Sequence, residues 1–442
     1  MRRTVLAVTA VLLSVASGQW LETTIELPQA SGPAALVYEA VNGKVYCANQ
    51  SSGTVTVIDG ATNSILATVR VGNGPRSLCT NPAAGKVYCA NGSSGTVTVI
   101  DGASDSVLAN PAVGAQPGGL CYGAQGNRVY CANQSSGTVT VIDGASDSVT
   151  ATIPVGFGPR AVCYNARDNK VYVSCYDGHC VTIVDCASDT VTATVACNYA
   201  AALCYNAANN RVYCASMTNG IMKVIDGTSD SVVADVQSGG TYPLAVACGA
   251  QDNKVYCANY YSANVGVVDG ALDSLVATVP VGSEPHVLCH VAAGNKVFCA
   301  NQMSDNVSVI SCADDSVVAT IAVGDEPTAF CHNPPWNRTY VANKSGSSIS
   351  VLRDSVAAVG EGRLAARGRS LARLATLVRG VLNLPASGVT RDASSVLLDA
   401  TGRRVLSLKP GPNDVTRIAP GVYFVSAEGP SGQVTAKTLI LH

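Results

Sequence analysis

"NRVYCANQSSGTVTVIDGASDSVTATIPVG", residues 127–156, is one of eight near-copies of a single phrase. The aromatic of each copy falls at Tyr46, Tyr88, Tyr130, Tyr172, Tyr213, Tyr256, Phe298 and Tyr340, with spacings of 42, 42, 42, 41, 43, 42 and 42. A fixed period of this size marks a repeat architecture. In the third copy the unit divides into four short runs, "GLCYGA", "NRVYCAN", "TVTVIDG" and "SVTATIPV". Each is rich in β-branched or aromatic residues and bounded by Gly, Asn, Asp and Ser, which reads as strands joined by turns. None shows the 3.6-residue period of a helical repeat. Four antiparallel strands per repeat make a propeller blade.

Composition agrees. Only 13% of the 442 residues are charged, against roughly 25% in ordinary domains. A blade packs face to face between two neighbours, so both faces of its strands need small or apolar side chains. Ring closure can be counted as well. "TTIELPQASGPAALVYEA" (Thr23–Ala40) aligns with "ATIPVGFGPRAVCYNA" (Ala151–Ala166), so the chain opens with a fourth, outer strand before its first inner one. The last copy ends at "SSISVLRD" (Ser347–Asp354) without a fourth strand. An all-β, eight-bladed propeller closed by the N-terminal strand follows, and closure removes free sheet edges. Seven blades with a spare unit is the less economical alternative.

On these residues a resemblance can be stated. "KVYCANQSSGTVTVIDGATNSILATVRVG" (Lys44–Gly72) and "YVANKSGSSISVL" (Tyr340–Leu352) resemble the YVTN family of β-propeller repeats, over residues 19–359. The resemblance implies the propeller fold and an exported or surface location. It is silent on function, because related propellers include both enzymes and binders.

The ends read differently. Arg2 and Arg3 precede an apolar run from Val5 to Val15 and the small residues Ala16-Ser17-Gly18. Residues 1–18 therefore read as a secretory signal peptide, the run being too short to span a bilayer. Residues 360–375, "GEGRLAARGRSLARLA", read as a linker or short basic helix. Residues 376–442 carry alternating runs that suggest a small Ig-like β-sandwich. Its Asp399-to-Arg403 turn, Gly421-to-Phe424 run and final Lys437-to-Leu441 strand resemble C-terminal sorting domains of type IX-like secretion, which implies the secretion machinery as a partner.

Between residues 19 and 359 there are 25 acidic and 15 basic residues, a net charge of −10. That argues against nucleic acid as a partner, since phosphate binding needs a basic groove. No transmembrane segment is expected in the mature chain.

Eighteen Cys in an exported chain raise the question of disulfides. Five blades carry Cys on both first and second strands: Cys79/Cys89, Cys121/Cys131, Cys204/Cys214, Cys248/Cys257 and Cys289/Cys299. Four pairs are ten apart and one is nine, a spacing at which hairpin partners are expected to sit nearly opposite. The two positions nevertheless come and go independently, with Val in the gaps (Val37, Val173, Val341), so a small apolar filler is the better reading. Blade four adds "SCYDGHCVTIVDC" (Ser174–Cys186), where Cys175 and Cys180 flank Tyr176, Asp177 and His179. A local loop disulfide is expected there before a zinc site, which lacks a fourth ligand, and two inert thiols are the alternative. No metal or cofactor is expected.

Strand direction puts the "VGxxP" loops on the ring face that also carries the "NQSSGT" loops. The residue after each loop proline is a candidate for the channel mouth, giving Arg76, Arg160, His286 and Thr328, with Glu284 and Glu326 preceding two of the prolines. No H-E-x-x-H, G-x-S-x-G or C-x-x-C-H occurs. The recurring Asp pairs, such as Asp101/Asp105, read as turn caps rather than calcium loops. The expectation is an exported module, extracellular or at the outer surface (periplasmic as alternative), that binds a protein, glycan or small ligand or serves structurally. The alternative is a propeller enzyme, a lactonase or quinoprotein-like oxidoreductase, with its site at the mouth.

Overall fold

The computed structural model describes residues 18–354, apart from 29, 30 and 219, and seven strands beyond them. The leader expected at 1–18 lies outside the described residues except for Gly18, and the linker expected at 360–375 lies wholly outside them. The chain divides into two compact units, residues 1–358 and 359–442.

The first unit consists of eight four-stranded antiparallel sheets. In blade 3 the strands are Pro117–Gly123, Arg128–Asn133, Thr138–Asp143 and Val149–Pro154. First strands of successive blades lie against one another, which makes them the inner wall of the ring. The eighth blade takes its outer strand from the N-terminus: Gln19–Glu26 pairs antiparallel with Ser348–Asp354. Eight blades close, and seven with a spare unit is excluded.

The repeat's pattern follows from what each strand meets. Second and third strands are buried along nearly their whole length, whereas the fourth alternates toward solvent. Seven tyrosines and Phe298 are at most 1% exposed, each wedged against the next blade. Tyr46, for example, packs with Val57 of its own blade and Val87, Cys89 and Ile100 of blade 2. Its hydroxyl donates to Asp105 Oδ1 of blade 2 at 2.7 Å, and Lys44 Nζ reaches the same carboxylate at 2.9 Å.

The ion pair of that latch recurs around the ring, from Lys86 to Asp147, Arg128 to Asp189, Lys170 to Asp230, Arg211 to Asp273, Lys254 to Asp315 and Lys296 to Asp354, and a tyrosine hydroxyl joins it in blades 2, 4, 5 and 6. The recurring Asp pairs therefore have two roles, of which turn capping is one. Asp101 caps its own turn, accepting from the Ser104 N–H and hydroxyl, and Ser104 holds its carboxyl below the usual range. Asp105 ties blade 2 to blade 1. Blade 1 has Asn63 at the bridging position, and there Arg338 of blade 8 pairs with Glu22 of the closing strand while Tyr340 donates to Asn63.

Register corrects the expected hairpin geometry of the cysteines. Cys79 lies opposite Tyr88, and Cys89 lies opposite Leu78, so the two sulfurs leave opposite faces of the sheet. None of the five hairpin pairs is bonded. The disulfide that does form, Cys204–Cys248, joins the inner strands of blades 5 and 6. Its cause is a one-residue change of phase. Cys204 stands opposite its blade's tyrosine and faces blade 6, whereas Cys248 stands one place further on, opposite Val255, and faces back toward blade 5. Elsewhere the inner cysteines share one phase and point the same way round.

In the second unit, five strands form a sheet in the order Thr376–Arg379, Gly432–Leu441, Gly421–Gly429, Ser395–Leu398, Arg404–Leu408, with the first pair parallel. Val381–Leu384 pairs separately with Gly411–Asp414.

Candidate functional site

Each inner strand starts with an irregularity. In blade 2 Pro75 pairs with Asn91 but Ser77 pairs with Ala90, leaving Arg76 as an extra, unpaired residue. The same shift recurs after Pro33, Pro117, Pro159, Pro243, Pro285 and Pro327. A bulge re-aims its side chain, here off the packed blade face at the loop end of the ring. This is the physical reason that the residue after each proline is more varied than the strands.

Two further rings of positions adjoin it, and neither was singled out as a ring from the sequence. One precedes the proline (Ala200 in blade 5) and has positive φ in every blade: Gly32, Gly74, Gln116, Gly158, Tyr199, Tyr242, Glu284 and Glu326. The other starts the turn after the second strand and brings Gln134, Tyr176, Tyr260, Gln302 and Lys344. Their signal in the sequence was the same, side chains that change from copy to copy while the flanking strands do not.

These positions sort by chemistry around the ring. Arg76 and Arg160, from blades 2 and 4, line one pocket of about 340 Å³ with Ser77, Gly118, Gly119 and Gln134. Blade 3 vacates the space between them. A Cβ at Gly119 would stand 2.4 Å from the Arg160 carbonyl oxygen, and one at Gly118 would stand 3.3 Å from Arg76 Nη2. Arg76 Nη2 donates to Gln134 Oε1 at 2.8 Å. No carboxylate lines the pocket, and neither arginine makes an ion pair among the described residues. Burial first, and then the Arg160 charge, push the Arg76 guanidinium below its ordinary value.

Arg160 also lies over the Tyr176 ring at 4.7 Å, so the arginine pocket and the blade 4 turn form one site. Tyr176 meets Tyr199 edge-on at 5.1 Å, and the His179 ring meets Tyr199 at 4.3 Å. His179 Nδ1 accepts from the Tyr199 N–H at 3.3 Å. Cys175 and Cys180 are register partners across this turn and are thiols, not the expected loop disulfide. No cluster of three or more metal-ligating side chains occurs among the described residues.

Blades 6 to 8 carry the second group. Tyr260 donates to Glu284, and burial, then that carboxylate, push its hydroxyl up to about 12. Glu326 accepts from Ser345 and from Gln302 Nε2 (2.7 Å), and the Ser345 bond leads in holding its carboxyl below the usual range. His286 has a buried Nδ1 that meets no hydrogen-bonding group, and burial keeps its ring below the ordinary value. Thr328 is not part of either group: its hydroxyl donates to the Pro33 carbonyl at 3.4 Å, tying blade 8 to blade 1.

With this geometry in place, similarity to known proteins can be weighed. The YNCE-like β-propeller family model matches residues 5–291. The chain belongs to that family. Among solved structures, Kuenenia stuttgartiensis hydrazine synthase superposes with a TM-score of 0.56 at 17% identity, over 76% of this chain and 99% of that one. The dihydro-heme d1 dehydrogenase NirN, in complex with DHE, superposes with a TM-score of 0.60 at 15% identity, over 76% and 75%. At such identities the likeness shows the fold alone. No curated protein matches the chain. No helix of the described residues is long and apolar enough to cross a membrane.

Proposed function

We propose that this YNCE-like propeller is an exported binding module whose loop face takes a ligand with a carboxylate beside a sugar ring, such as a uronic acid at a glycan end. The observation that carries it is the pocket holding Arg76 and Arg160 with no carboxylate of its own. Two guanidiniums brought together in a body of net charge −10 cost electrostatic energy that an anion would offset. Positive charge with no carboxylate beside it is confined to blades 2 to 4, whereas Lys344 on the other arc stands beside Glu326. That suits one anionic group rather than the continuous track that a polyanion needs. Tyr176 and Tyr199 offer ring faces beside it. The apolar run at Val5–Val15 supports export, and the C-terminal strands support a sorting role for the second unit.

Calorimetric titration tests the reading with galacturonate oligomers against neutral galactose oligomers. The acidic sugar should bind and the neutral one should not. Arg76→Gln and Arg160→Gln should each weaken binding about tenfold to a hundredfold, the worth of one charge-assisted contact. Arg353→Gln, away from the mouth, should bind as the parent does. Equal binding by all variants, or no preference for the acid, overturns it.

One observation favours a propeller enzyme as second reading: the unbonded, buried His286 nitrogen near Glu284 and Glu326. Lactone hydrolysis that is lost in His286→Gln would establish it.

A further inference from the structure

Blades 4 and 5 depart from the other six at one paired position, blade 5 with Ser216 opposite Ile221 and blade 4 with two cysteines. In blade 1 Asn49 Nδ2 donates to Thr54 Oγ1 at 3.2 Å and Thr56 Oγ1 at 2.9 Å, and blades 2 and 3 repeat both bonds. Blades 6, 7 and 8 keep the asparagine and bond it to Asn264, Asn306 or Ser348. The equivalent residues in blade 4 are Cys175 and Cys180, direct partners across the turn. Both members of a bonded pair have become cysteine together. The cysteines of the first and second strands show no such concerted change.

The two sulfurs share one spot. A Cβ added at Gly156 would meet Cys175 Sγ at 3.1 Å and Cys180 Sγ at 3.3 Å, so only glycine leaves room for both. Thr182 Oγ1 lies 3.7 Å from the first sulfur and 4.0 Å from the second. Cys175 is buried and Cys180 is partly exposed. Cys180, the sulfur that solvent reaches, is the attacking thiol, and the buried Cys175 beside it is the resolving thiol; proximity to Cys175 also holds the Cys180 thiol below its ordinary value. No third metal-ligating side chain joins the two sulfurs among the described residues. Redox chemistry therefore fits the pair better than metal binding.

We propose that Cys175 and Cys180 form a thiol–disulfide exchange site whose substrates are disulfides of low-molecular-weight thiols. The Cys180 thiolate attacks one sulfur of the substrate; that S–S bond breaks, and one thiolate leaves and takes a proton from water. Cys175 then gives up its proton to solvent and attacks Cys180 Sγ, expelling the second thiolate, which also takes a proton from water. Two electrons pass to the substrate disulfide, which becomes two thiols, and the protein is left with a Cys175–Cys180 disulfide. Excess thiol reverses both steps. The site does not rest on ligand binding at the arginine pocket.

A built-in control exists. Cys197 and Cys214 have sulfurs 3.4 Å apart, but both are buried. The reduced full chain, mixed with oxidised glutathione at neutral pH and mapped by peptide mass spectrometry, tests the proposal. The Cys175–Cys180 bond should form about tenfold or more faster than any change at Cys197 or Cys214, since exchange follows thiolate access. Cys175→Ser should trap glutathione on Cys180, and Cys180→Ser should abolish reaction at the turn. Cys175→Asn with Cys180→Thr, which restores the pair of blades 1 to 3, should fold normally and not react. The proposal is overturned if Cys175→Ser traps nothing, if Cys197 and Cys214 oxidise first, or if the Cys175–Cys180 bond resists excess reduced glutathione and is a fixed staple.

Discussion

Five of the eight residues that precede the inner strands carry side chains at positive φ: Gln116 (52°), Tyr199 (46°), Tyr242 (59°), Glu284 (54°) and Glu326 (58°). Glycine serves at Gly32, Gly74 and Gly158 with φ of 65–67°. A Cβ in this region costs about 1 kcal/mol, so these five positions hold strain that the fold does not require. Gln116→Gly should raise stability by about 1 kcal/mol in urea unfolding, because its side chain makes no bond that the turn uses. Histidines carry a second residue-scale consequence. Burial keeps His286 and His332 below the ordinary value, so the unfolded chain binds protons that the folded one refuses. Their contribution is fully present above about pH 6.5 and is lost as pH falls through the folded values. Thermal unfolding across pH 7 to 5 should show the loss, and His332→Gln should flatten part of it. The candidate residues themselves were legible as variation within a repeat. Which of them meet was not: Arg76 and Arg160 are two blades apart, and only Gly118 and Gly119 let them share a pocket.

At the scale of the element, five of the eight blades are held to the next by a tyrosine, a cation and a carboxylate acting together. Lys86 and Asp147 side chains are only 12% and 10% exposed, and Tyr88 donates to the same carboxylate at 2.8 Å. Asp147→Ala would leave a largely buried ammonium with only the Gly144 and Ala145 carbonyls, and a buried hydroxyl without its carboxylate. It should cost about 3 kcal/mol by denaturant titration, far more than an exposed pair would. The strands, their number and their turns follow from β-branched runs punctuated by Gly, Asn and Asp. The latch was half visible. Two aspartates four residues apart in the turns of blades 2 to 6 suggested capping, which one of them does, but the reach of the other is set by the blade beside it. The cysteines teach the same point more sharply. The nine-residue spacing of Cys248 and Cys257, against ten elsewhere, is a slip of one residue, and a slip of one turns a strand side chain to the other face. That small irregularity marked the disulfide, yet its partner Cys204 belongs to the neighbouring blade.

For the whole first unit, closure depends on few features. Strand Gln19–Glu26 completes blade 8, and Glu22 binds Arg338 and Arg353 across that seam. Cys204–Cys248 closes a loop of sequence separation 44, which on the chain-entropy account stabilises the ring by about 4 kcal/mol. Cys248→Ala should lower the unfolding midpoint accordingly. It should also make the midpoint insensitive to reductant, whereas that of the parent falls on reduction.

What the sequence by itself determined is the repeat, the four strands of each blade, their count and the N-terminal closing strand. All of these are local patterns, or sums over one pattern, and a period of 42 with a missing last strand leaves few other solutions. The tertiary structure alone decided which side chains from different blades share a space: the arginine pocket, the Tyr–Lys–Asp latches, the Cys204–Cys248 bond and the sulfur pair above Gly156. Such meetings depend on strand phase and on bulges, where a single residue reverses the direction of a side chain, and on the neighbour that waits on the other side.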